Sequence, residues 1–148
     1  KRAADRTEVF CFGTGLARVT RELDHHTPDE ALDRAARAVF DWEGGTRIGS
    51  TLDRFVRDWG RRGISRGAIV VICSDGLDRG DPAVLDHAMD RLTRLSHAIV
   101  WLNPTRRPGT TTPSAVGMLV AEPYVDVVLP GHDLSSLQEF AATLPKLG

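Results

Sequence analysis

Apolar side chains are arranged along this chain in two alternating rhythms, short continuous runs and spacings of three and four. Glu8-Val9-Phe10-Cys11-Phe12 is a short, apolar and aromatic segment that stops at Gly13-Thr14-Gly15, which predicts a strand entering a tight turn. Alternating Ala17, Val19, Arg21 and Leu23 predict an exposed hairpin partner for it. Thr27-Pro28-Asp29-Glu30 predicts a helix start, with Thr27 as N-cap, Pro28 at the first helical position and Glu30 closing a capping box. Leu32, Ala35, Ala36 and Val39 mark its buried face. Ile48, Leu52, Phe55, Val56 and Trp59 predict a second helix that ends near Gly60 and Gly63.

Residues 68–74 are continuously apolar and rich in β-branched side chains, the pattern of a strand buried on both faces and a candidate central parallel strand. The loop from Asp75 to Gly80 leaves it. Asp81-Pro82 then caps a helix whose apolar face is Leu85, Ala88, Met89, Leu92 and Leu95. Residues 98–102 form the next buried strand, ended by Asn103-Pro104, and residues 105–113 read as an exposed loop. A short helix over 114–121, a strand over 125–129 and a last helix complete the pattern. That helix carries Leu134, Leu137, Ala141 and Leu144, with Asp133 as its cap. Helices alternating with short buried strands imply one α/β domain over residues 1–148: a doubly wound, mostly parallel sheet with helices on both faces. Ligands then collect at the carboxyl ends of strands, at residues 13–15, 75–80 and 103–113.

Composition narrows the function classes. The 148 residues carry 19 Lys+Arg against 20 Asp+Glu, a formal net charge of −1, so no global field holds a polyanion and nucleic acid is not an expected partner. The longest apolar run, residues 68–73, is far short of the roughly 20 residues of a membrane span. Cys11 and Cys73 lie in apolar runs without a Cys-x-x-Cys pair and read as small buried hydrophobes in a reducing, cytoplasmic setting. Lys1-Arg2-Ala3-Ala4-Asp5-Arg6 shows neither Met nor a signal-peptide pattern, which leads us to expect an upstream segment.

Two positions concentrate polar chemistry. Ser74-Asp75-Gly76 releases a carboxylate where a buried strand ends, suited to a hard divalent cation or to capping its own turn. Gly44-Gly45-Thr46-Arg47-Ile48-Gly49 brings backbone close to a ligand and offers the Thr46 hydroxyl, unless Thr46 instead caps the following helix. The run from Gly44 to Thr51 approaches a phosphate-binding loop but has Ser50 in place of the required Lys. His25-His26 beside Asp29 and Glu30, and the clusters Arg61-Arg62 with Arg66 and Arg106-Arg107, read as solvated surface. His87, His97 and His132 are isolated, and no nucleophile–base arrangement follows from their spacing.

Several segments taken together resemble CoxE-like von Willebrand factor A (VWA) domain proteins. In order they are Glu8-Val9-Phe10-Cys11-Phe12-Gly13-Thr14, Arg18-Val19-Thr20-Arg21-Glu22-Leu23, Trp42-Glu43-Gly44-Gly45-Thr46-Arg47-Ile48-Gly49, Ser74-Asp75-Gly76-Leu77-Asp78-Arg79-Gly80-Asp81, Trp101-Leu102-Asn103-Pro104 and Leu129-Pro130-Gly131-His132. The resemblance implies a VWA fold with a metal-ion-dependent adhesion site (MIDAS), where a divalent cation, usually magnesium, is held by an Asp-x-Ser-x-Ser motif, a Thr and a later Asp. Thr46 matches that Thr and Asp75 that Asp, with Asp78 and Arg79 lining the rim. No Asp-x-Ser-x-Ser occurs in the chain, and Asp133-Leu134-Ser135-Ser136 has the wrong spacing.

The resemblance therefore implies a domain truncated on its N-terminal side, lacking the first strand between those near Val9 and Ala68. Magnesium then belongs to the intact domain and binds weakly or not at all here, because Mg²⁺ demands near-octahedral oxygen ligation. The gap is expected to close by direct pairing of the two flanking strands or by a strand from another chain, through strand exchange or a homo-oligomer. The implied role is a non-catalytic bacterial adaptor whose ion accepts a partner's carboxylate, working with a MoxR-type AAA+ ATPase on a client such as carbon monoxide dehydrogenase. A magnesium-dependent α/β hydrolase or nucleotide-binding enzyme using Asp75 is the rival from another class, without a visible nucleophile, general base or phosphate loop. A VWA domain that has lost its metal and serves as a packing surface is the third reading.

Overall fold

Strand β4 (Ala98–Asn103) is the axis of the molecule: its residues from Ala98 to Leu102 are all buried. In the computed structural model, which describes residues 7–39, 45–60, 63–106 and 115–147, β4 pairs in parallel with β3 (Ile69–Cys73) on one side and β5 (Val127–Pro130) on the other. Its side chains alternate between two layers, as a strand's must. Ile99 and Trp101 pack with helices α3 (Ile48–Phe55), α4 (Pro82–Thr93) and α5 (Val116–Ala121). Val100 and Leu102 pack with Leu129 and Phe140, the latter on α6 (Leu134–Thr143), on the opposite face. This is the expected α/β arrangement with helices on both sides of a parallel sheet.

The central strand is β4, whereas residues 68–74 were expected to hold that place. β3 is an edge strand, with no hydrogen-bonded strand on its outer side among the described residues. Ile72 points into the core, but Val71 and Cys73 on the alternate face are exposed. Nor is Cys11 fully buried, so neither cysteine is the buried hydrophobe expected. Enough protein surrounds each sulfur for desolvation to raise both thiol pKa values.

β1 (Phe10–Phe12) and β2 (Leu16–Arg18) form the expected antiparallel hairpin, Cys11 opposite Ala17. The alternation does not continue: Val19 is fully buried and the chain turns into helix α1 (Thr20–Leu23). Thr20 causes the turn, because its Oγ1 accepts the Val9 N–H at 2.9 Å and donates to the Glu8 carboxylate at 2.6 Å. The hairpin does not pair with β3, so direct closure of the gap, one of the two expected routes, does not occur. It reaches the same core through side chains, with Phe10 edge-on to Phe55 and Trp59 at 5.1 and 5.5 Å.

α3 follows its spacing closely, burying Ile48, Leu52, Phe55 and, in a π-helical last turn (Val56–Gly60), Val56. It crosses α4 at Gly49, where a Cβ would lie 2.7 Å from the Leu85 nitrogen. On α4 the Asp81 carboxylate caps the Ala83 N–H, and Leu85, Ala88, Met89 and Leu92 are fully buried. Helix α2 (Pro28–Ala38) starts where expected but rests against α1 on the small side chains Ala31 and Ala35, leaving Leu32 exposed. The Thr27 hydroxyl binds Glu30 rather than a backbone amide. On α6 Asp133 forms a full capping box with Ser136, yet Leu134 and Leu137, expected on the buried face, are exposed.

Residues 1–6, the Trp42-Glu43-Gly44 segment, Arg61-Arg62, residues 107–113 of the expected Thr/Pro/Arg-rich loop and Ser114 of the expected short helix lie outside the described residues. Among the described residues no helix is long and apolar enough to cross a membrane.

Candidate functional site at the carboxyl rim

The β3 strand hands over to its loop through a fixed junction. The Ser74 N–H donates to the Leu102 carbonyl at 3.1 Å, and the Trp101 indole N–H donates to the Ser74 carbonyl at 2.8 Å. Beyond it the chain makes two polar turns: the Ser74 hydroxyl accepts the Gly76 N–H, and Asp75 Oδ1 accepts the Leu77 N–H at 3.0 Å. Gly76 has φ of +81°, and a Cβ there would lie 2.7 Å from the Met118 side chain. Both constraints select glycine. The Gly117 N–H donates to the Gly76 carbonyl at 3.2 Å, which holds the start of α5 against the loop.

Asp78 is the clamp of this rim. Its carboxylate accepts the Ile48 and Gly49 amides at 3.0 and 3.2 Å, and the Gly80 amide at 2.8 Å. The first two are free N–H groups at the start of α3, which orient toward negative charge. The helix is therefore capped from a loop some thirty residues later, and neither Arg47 nor Thr46 supplies a side-chain cap. The neighbouring Arg79 N–H donates to the Thr46 carbonyl at 3.0 Å, and its side chain lies over Gly45, whose φ is +77°. The Arg47 N–H donates to the Gly13 carbonyl at 3.0 Å. Three segments, the 13–15 turn, residues 45–47 and the 75–80 loop, thus become one edge at the carboxyl end of the sheet.

Thr46 and Asp75, the two candidate metal ligands, both sit half-buried on this edge, on segments joined by the Arg79–Thr46 bond. The turn-capping role foreseen for Asp75 is present at Oδ1; the helix-capping role foreseen for Thr46 belongs to Asp78. Sequence reasoning placed Asp78 only on the rim, because its partners are distant in the chain and Asp-x-Gly reads locally as a turn.

Among the described residues no group of three or more His, Cys, Asp and Glu side chains is placed to hold a metal ion. Asp78 is committed to three amides, so Thr46 and Asp75 leave two oxygen donors where magnesium takes about six in octahedral array. These residues alone do not make a magnesium cage.

An open parallel sheet with a polar rim at its carboxyl end is the architecture of an α/β binding domain. The family model described as VWA domain containing CoxE-like protein matches the chain over residues 1–137, and the chain belongs to that family. No curated protein and no solved structure matches it.

Proposed function

We propose that this chain is a non-catalytic adaptor that binds other proteins through the rim carrying Thr46 and Asp75. The family match over residues 1–137 carries this reading, and the convergence of both residues on one edge supports it. Thr46 and Asp75 would contribute two oxygen ligands to a divalent cation, magnesium by preference, with the other donors coming from outside the residues described. That ion would supply an open position for a partner's carboxylate. The partner proposed is a MoxR-type AAA+ ATPase, acting in the bacterial cytoplasm on a client metalloenzyme such as carbon monoxide dehydrogenase. No observation favours the hydrolase or nucleotide-binding alternative at Asp75.

Affinity capture of a purified MoxR-type ATPase by the intact domain, with its remaining metal ligands, tests this directly. Capture is expected to fall on adding EDTA and on Asp75→Ala. Equal capture under all three conditions would overturn the metal-bridged mechanism. For the 148-residue chain alone, low-millimolar magnesium is expected to move Tm by less than about 1 °C, since a ligand stabilises only as far as its concentration exceeds Kd. A rise of several degrees would show that the chain completes the site without outside donors.

A further inference from the structure

Among the described residues the rim carries positive charge outside any ion pair, beside exposed apolar surface. Each aspartate on the loop is met by backbone amides: Asp75 by Leu77, Asp78 by Ile48, Gly49 and Gly80, and Asp81 by Ala83. The arginines are not answered in this way. Arg47 and Arg79 are both exposed, and neither belongs to any ion pair among the described residues. Their backbones are fixed, Arg79 to Thr46 and Arg47 to Gly13, so both exposed side chains start from anchored positions, that of Arg79 lying along Gly45.

Alongside them Leu77 is 65% exposed, and Val116 and Leu119 are each 57% exposed. Val116 and Leu119 are three apart on α5, hence on one face of it. The Gly117–Gly76 hydrogen bond sets that helix against the loop bearing Leu77 and Arg79. Large apolar side chains clustered beside fixed charge mark a protein-binding surface.

We propose that this patch docks an acidic, leucine-containing segment of a partner protein, its carboxylates paired with Arg79 and Arg47 and its apolar side chains against Leu77, Val116 and Leu119. Charge complementarity selects the occupant. A guanidinium takes a carboxylate in a forked pair, and a basic segment would meet like charge. The proposal deepens the adaptor reading and rests on it for the existence of a partner, but it needs no metal ion.

Fluorescence polarisation with a labelled twelve-residue peptide of alternating Glu and Leu tests it. Its Lys/Leu and Glu/Ser counterparts serve as controls, and every titration is run in EDTA and repeated with magnesium. The Glu/Leu peptide is expected to bind, and both counterparts to bind at least tenfold more weakly. Arg79→Glu and Leu77→Asp should each weaken it about tenfold, Arg79→Lys should recover part of the loss, and Arg34→Glu on α2 should leave it unchanged. Circular dichroism of each variant confirms that the fold is kept. No binding by the Glu/Leu peptide, equal binding by the Lys/Leu peptide, or indifference to Arg79→Glu and Leu77→Asp overturns the proposal. Binding that appears only with magnesium also overturns it, while leaving the metal-bridged adaptor intact. ATPase capture that fails while the peptide binds has the opposite meaning.

Discussion

Asp75 and Asp78 stand three residues apart on one loop, yet the structure gives them separable tasks. Asp78→Ala removes the acceptor of three amides, two at the start of α3, where Ile48 is fully buried and Gly49 is packed against Leu85. Losing a helix cap costs about 1 kcal/mol. The charge-assisted bond to Gly80 adds about 1.5 kcal/mol. Together the loss is about 2–3 kcal/mol, which for a domain of this size lowers Tm by about 5–10 °C. Asp75→Ala removes one bond within its own loop, to Leu77, and should cost less than about 1 kcal/mol. Asp78→Asn keeps an acceptor but turns an amide donor toward an N–H, so it falls between the two. Thermal unfolding followed by circular dichroism gives the ranking, and amide hydrogen exchange gives the location. Ile48 and Gly49 should exchange about 30- to 100-fold faster in Asp78→Ala, since 1.4 kcal/mol is a factor of ten, and should be unchanged in Asp75→Ala. Equal Tm shifts for the two alanine variants, or unchanged exchange at Ile48 and Gly49 in Asp78→Ala, would refute the clamp.

Two further expectations follow from close contacts and from charge. Gly117→Ala places a Cβ 2.5 Å from the Gly76 carbonyl oxygen, and Gly76 is itself locked by its positive φ, so α5 must move off the rim. Overpacking of this kind costs about 1–3 kcal/mol, readable as a lower urea midpoint, whereas Gly15→Ala, with nothing within 4 Å of its Cβ, should be near neutral; equal midpoints would refute the contact. Beyond β5, on the far edge of the sheet, the Ser136 hydroxyl and then its backbone N–H hold the Asp133 carboxyl below the ordinary carboxylate range. A carboxylate lowered on folding contributes stability in full above its unfolded pKa of about 4 and loses it as pH falls through the lower folded value. Helix α6 should therefore fray on acidification below about pH 4, as exchange at Ser136 and Leu137 would report. Asp133→Asn should keep the cap and remove that pH dependence; an identical acid limb in both proteins would refute the assignment.

What the sequence disclosed and what it hid divide by range. Asp81-Pro82 and Asp133 marked helix starts correctly because a cap is complete within about three residues, and Pro28 did so because its fixed φ suits the first helical turn. The faces of α3 and α4 were legible because both helices meet the same core, so spacing and burial coincide. Residues 68–73 and 98–102 are both continuously apolar; β4 is central only because β3 and β5 flank it, and the number of neighbours a strand acquires is not written in the strand. Leu32, Leu134 and Leu137 show the same limit on helices, for an i, i+3, i+4 pattern states which side chains share a face without stating what covers it. Asp78 is the converse at the site. Its three amide partners include two that lie 29 and 30 residues earlier, so a residue that looked like rim lining organises the rim. Thr46 and Asp75 drew notice through their glycine neighbours and their place at an element boundary; the structure adds that their two segments share one edge, held there by the Asp78 clamp and the Arg79–Thr46 bond.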